Sequence, residues 1–67
     1  MKLQIKDAGS WRHILNFDKN VETAVRQRSV KLIAAVNNRI TLRILDDQGA
    51  IRARAAAPDF TWEERPN

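Results

Sequence analysis

The chain contains no cysteine and no tyrosine, a single histidine, two glycines and two prolines among its 67 residues. Each shortage closes a class of explanation. Without cysteine there is neither a disulfide nor a thiolate, so a stapled secreted scaffold and a cysteine-ligated zinc site are both excluded. A lone histidine lacks the paired spacing of common transition-metal sites, and two isolated glycines cannot build a phosphate-cradling loop or a dinucleotide fingerprint. No stretch approaches the roughly 20 apolar residues of a membrane span, and MKLQIKDAG lacks the apolar core of a signal peptide. The expectation is a soluble, cytoplasmic protein with no membrane contact. A chain this short buries only about 60% of the surface its unfolded form exposes, which makes self-association or a partner the natural source of further stability.

What the sequence does have is arginine. Lys and Arg number twelve against eight Asp and Glu, a net charge of +4, and Arg outnumbers Lys by eight to four. Guanidinium groups form fork-shaped bonds to phosphate and carboxylate and stack on flat surfaces, so the bias favours recognition of an anionic partner.

The pattern along the chain predicts a ββαββ order. Met1, Leu3 and Ile5 alternate with Lys2, Gln4 and Lys6 at the period of a half-buried strand. Asp7-Ala8-Gly9 reads as a three-residue hairpin loop, pairing Ile5 with Trp11, Leu3 with His13 and Met1 with Leu15 on one core face. A short helix capped by Ser10 is the competing reading of residues 10–17, since Trp11, Ile14 and Leu15 also fit helical spacing. From Asn20 to Asn37 the spacing is helical, with Asp18 or Asn20 as N-cap and Asn37-Asn38 suited to a left-handed C-terminal turn. Val21, Ala24, Val25, Leu32, Ala35 and Val36 form the stripe expected to face a sheet, with Arg28 inside it. Val30, Ile33 and Ala34 fall outside that stripe, near Arg26, and are the expected homo-oligomer interface.

Ile40, Leu42 and Ile44, then Ile51, Ala53 and Ala55, define a second hairpin around Asp46-Asp47-Gln48-Gly49. Pairing Ile44 with Ile51 keeps the apolar residues together and places Arg43 opposite Arg52 and Thr41 opposite Arg54, on the face away from the core. Pro58 ends the strand. The expected fold is therefore α+β, a four-stranded, mainly antiparallel sheet from two hairpins with one helix across one face, spanning residues 1–57 and followed by a tail, 58–67.

No residue set meets the requirements of catalysis, so no enzymatic activity, metal or cofactor is expected. His13 reads as a packed histidine, Asp46-Asp47 as turn residues bonding their own backbone, and Glu63-Glu64 as solvated or arginine-paired acids. Phe60 and Trp62 read as a tail that completes the core, with Trp62 also available as a contact residue. The positive signal is Arg43, Arg52 and Arg54 together on one sheet surface. It points to a non-enzymatic binding module with an acidic protein surface as the leading partner. Sequence-nonspecific nucleic acid is the alternative, weakened because Trp11 is expected on the core side and single-strand readers place aromatics on the binding face. The compactness, arginine usage and hairpin-helix-hairpin order resemble small accessory proteins of phages and mobile elements, some joining virion parts and some binding host proteins. That resemblance rests on no motif and gives no residue a role.

Overall fold

A computed structural model of the chain describes residues 1–7, 9–36, 39–56 and 59–64, with the side chains of Asp7 and Val36 left out. The expected turn at Asn37-Asn38 and the strand stop at Pro58 lie outside these residues. Strands β1 (Lys2–Asp7) and β2 (Ser10–Asn16) form the first hairpin, so residues 10–16 are strand and not helix. A 3-10 turn at Lys19–Val21 leads into helix α1 (Glu22–Val36), and β3 (Thr41–Leu45) and β4 (Ile51–Ala56) make the second hairpin. Asp18 holds the extended backbone of a helix-preceding residue, and Glu22 puts a carboxylate in the first helical turn, where the helix dipole favours it.

The fold is α+β with an antiparallel sheet of five strands in the order β2-β1-β3-β4-β5. The fifth is β5 (Glu63–Glu64), where the tail returns to pair Ala53 with Glu64 and Arg54 with Glu63. Four strands were expected because two consecutive glutamates carry no apolar alternation. Their pairing depends on the tail being pinned by Phe60, which is buried and whose N–H donates to the Ala56 carbonyl at 2.9 Å.

Both hairpins depart from the expected register. Asp7 pairs with Ser10, so Trp11 stands opposite Lys6 and His13 opposite Gln4. A one-residue slip carries every affected side chain to the other face. Trp11 and His13 therefore leave the core side, and His13 is exposed. A bulge at Ile14 then restores the phase, pairing Leu15 with Leu3. In the second hairpin Ile44 pairs with Ala53 and Arg43 with Arg54, while Arg52 is the extra residue of a bulge. Its turn is closed by Asp46, whose Oδ1 accepts from the N–H groups of Gln48 at 2.8 Å and Ala50 at 3.0 Å. Gly49 takes the positive φ that the turn requires, +84°.

Leu3, Leu42 and Ile44 form the centre of the core. Val25, Val30, Ile33 and Trp62 pack against it. The helix is thus turned about its axis relative to the expectation: Val30 and Ile33 face inward, while Val21, Ala24, Leu32 and Ala35 are exposed. Apolar residues occur on nearly every side of α1, so spacing alone defines no single face. The orientation is set by ion pairs. Glu22 Oε2 accepts from Arg26 Nε at 3.0 Å, from Arg26 Nη2 at 2.6 Å and from Arg52 Nε at 2.9 Å. Arg26 Nη1 also reaches Glu64, its guanidinium lies 5.6 Å from the Trp62 ring, and Trp62 Nε1 donates to the Arg26 carbonyl at 2.9 Å. These contacts tie α1 to β4 and β5, while Val25, Val30 and Ile33 pack on the core cluster of β1 and β3.

Candidate functional site

The face of the sheet away from α1 is read row by row from the pairing. One row runs Trp11, Lys6, Thr41 and Ala56 across β2, β1, β3 and β4. The next runs His13, Gln4, Arg43, Arg54 and Glu63, and the last Asn16, Lys2, Leu45 and Ile51. Lys2, Lys6, Arg43 and Arg54 thus share this face with Glu63, and Asp59 lies with Glu63 in a depression beside Arg54.

Within it the first two rows build a defined cluster. The Arg43 guanidinium lies over the Trp11 ring, 3.9 Å from its centroid, and its Nε donates to Gln4 Oε1 at 2.8 Å. The Lys6 ammonium sits 5.9 Å from the same ring. A cation on an indole face is attracted by the ring quadrupole, worth about 0.5–1 kcal/mol at an exposed site. Stacking also relieves the strain of having Arg43 directly opposite Arg54, since like charges on a cross-strand pair repel. The result is a shallow depression of about 140 Å³ lined by Lys6, Trp11, Thr41, Arg43, Ile51 and Arg54. It presents positive charge, guanidinium donors and an indole within one small area.

The expected trio is therefore divided. Arg43 and Arg54 lie together, but Arg52 bonds Glu22 on the helix side because its bulge turns it there. Trp62 also lies on the helix side, half-buried against the core. Of the expected interface residues, Val30 and Ile33 are half-buried in the core packing and only Ala34 is exposed. Sequence reasoning missed Trp11 and Gln4 at the open face. A signal for Trp11 exists in the adjacency of Ile14 and Leu15: two successive apolar residues cannot both face inward on a regular strand, which marks a bulge and shifts the phase of everything before it. No comparable signal marks Arg52, whose neighbours Ile51, Ala53 and Ala55 alternate without fault.

The Glu22 carboxyl is held below the ordinary glutamate range. The Arg52 hydrogen bond is the main cause, Arg26 adds to it, and partial burial opposes both. Among the described residues no three His, Asp or Glu side chains come together as metal ligands. No helix among them is long and apolar enough to cross a membrane. Comparison of the chain with protein-family models, with curated proteins and with solved structures finds no match.

Proposed function

We propose that this protein is a non-enzymatic binding module whose open sheet face takes single-stranded nucleic acid without strong sequence preference. The observation that carries the reading is the indole of Trp11 among Lys6, Arg43 and Arg54, with an arginine stacked on its ring. Single-strand binders combine a positive surface that follows the phosphate backbone with aromatic side chains on which bases stack. An exposed sheet face suits this use, because unpaired bases can lie flat across it. Gln4 fixes the Arg43 guanidinium in place, so the charge is ordered before a ligand arrives.

An acidic protein surface on the same face is the second reading. It is favoured by Arg43 and Arg54 but has lost Arg52, which is engaged by Glu22. Anisotropy of labelled single-stranded DNA, single-stranded RNA and duplex DNA, titrated at several salt concentrations, separates the two. Three or four neutralised phosphates give a slope of log affinity against log salt of about −2 to −3 for a single strand. Single strands should bind more tightly than duplex. Absence of binding at low salt would sink the nucleic-acid reading and leave the acidic protein surface, and a preference for duplex would overturn the single-strand assignment.

A further inference from the structure

Five-stranded as it is, the sheet is covered on its inner side by a single helix, and the arithmetic of that arrangement leaves a gap. Strands lie about 4.8 Å apart and a helix with its side chains is about 10 Å across, so one helix covers about two strands. α1 is tied to the β4 and β5 side of the sheet by its contacts with Arg52, Glu64 and Trp62. Between α1 and the inner side of β2 lies a groove of about 600 Å³, closed at its base by the buried Leu3 and Leu42, bounded on the sheet by Ile5, Ile14 and Leu15 and on the helix segment by Val21, Ala24, Val25 and Leu32. All four exposed large apolar residues among those described line it: Ile14 at 48%, Leu15 at 39%, Val21 at 44% and Leu32 at 63%. Among the described residues its one charged lining residue is Arg28. Arg12 stands opposite Ile5 on β2 and so adds a second cation on the groove side of the edge strand.

We infer that this groove is the docking site for an acidic amphipathic helix of a partner protein, laid beside α1 to complete a two-helix layer on the sheet. Helix-in-groove recognition lays apolar anchors at i, i+3, i+4 and i+7 along such a cleft, here between Val21 and Leu32 on one side and Ile14 and Leu15 on the other. About 14 residues match the length of α1, which has 15. The rim selects the charge: Arg28 and Arg12 flank the apolar groove, and no carboxylate among the described residues lines it. A second copy of this chain fits poorly. The groove-lining apolar residues its own helix segment leaves exposed, Val21, Ala24 and Leu32, are flanked by its Arg28, so a second copy would set cation against cation at the rim. Pairing of two β2 edges would widen the floor without filling the groove. This site is separate from the open face and stands whether or not nucleic acid binds there.

The test uses the full chain and a synthetic 18-residue peptide with Leu at helical spacing and Glu on the remaining face. The controls are the same composition in shuffled order and a version with Lys in place of Glu. Calorimetry gives the affinities, and methyl shifts in NMR locate the site. The acidic helix should bind saturably, perturb Ile14, Leu15 and Leu32, and exceed the lysine version by about tenfold, the combined effect of two exposed ion pairs. Leu32→Asp and Ile14→Ser, both at exposed positions and checked by circular dichroism, should each weaken it at least several-fold, while Arg43→Ala should leave it unchanged. Equal binding of the shuffled peptide, or loss with Arg43→Ala but not Leu32→Asp, would overturn the assignment. So would a dimer in light scattering that Leu32→Asp reduces to a monomer, because a second copy would then occupy the groove.

Discussion

The two flanks of α1 are opposites. Toward β4 and β5 the helix is sealed by Glu22, Arg26, Arg52, Glu64 and Trp62, a set of charged and aromatic groups that satisfy one another. Toward β1 and β2 it is unsealed, and Leu32, Val21, Ile14 and Leu15 face solvent across a groove. In a chain this small a single helix cannot cover the whole sheet. Fixing it to one side with directional bonds concentrates the uncovered apolar surface on the other. Polar contacts here decide position, and the apolar remainder becomes available for recognition.

The largest break in this contrast comes from the floor that both flanks share. Ile44 is fully buried, and Ile44→Ala should cost about 2–5 kcal/mol. A domain of this size has a total stability of about 3–10 kcal/mol, so the variant should be substantially unfolded in a urea titration at 25 °C. Leu15→Ala, on the unsealed flank, should stay within about 0.5 kcal/mol of the parent. Comparable losses for the two would mean that the groove is not open in solution.

Next in size is the sealed flank itself. Glu22 is 8% exposed and serves two arginines, so Glu22→Gln leaves those guanidinium groups with a weaker acceptor and should cost about 1–3 kcal/mol. The pH dependence follows from the direction of its shift. Because the folded-state pKa is depressed, the stabilisation is complete above the ordinary glutamate value, about 4.3, and is lost as pH falls through the lower folded value. Urea midpoints measured from pH 7 down to pH 3 should fall more steeply for the parent than for Glu22→Gln. Parallel curves would show that the carboxylate does not hold the helix in place.

Much of this fold is legible in the sequence, and the misreadings have one physical origin. Strand periodicity located β1, β3 and β4, and the helical pattern located α1, because those signals are local. Register is not local. Trp11 changed faces through a one-residue slip, and Arg52 through a bulge that brings it to Glu22, 30 positions away in sequence. The arginine-rich face was legible in Arg43 and Arg54. Its aromatic component was not, since Trp11 suits either side of a strand until Ile14 is recognised as the bulge. The alternation of Phe60 and Trp62 suggests a tail that completes the core, and both side chains pack there. The two-residue strand beyond them depends on Arg26 and Arg54 for its partners and carries no pattern of its own.

The single-arginine effects are the most discriminating between the two sides of the sheet, because Arg52 and Arg54 are near neighbours on one strand assigned to opposite tasks. Arg54 lies on the open face beside the Trp11 cluster, so Arg54→Ala should reduce the salt slope of single-strand binding by about 0.7, the share of one phosphate contact. It should leave the urea midpoint close to the parent value. Arg52→Ala should do the reverse, lowering the midpoint through loss of the Glu22 bond while leaving the salt slope unchanged. Trp11→Ala belongs with Arg54→Ala, with an expected affinity loss of about five- to one-hundredfold for one stacked base. If Arg52→Ala lowers the salt slope as much as Arg54→Ala, Arg52 is drawn from Glu22 to the ligand when nucleic acid binds. The sealed flank would then open on binding, and the division of labour between the two arginines would hold only for the free protein.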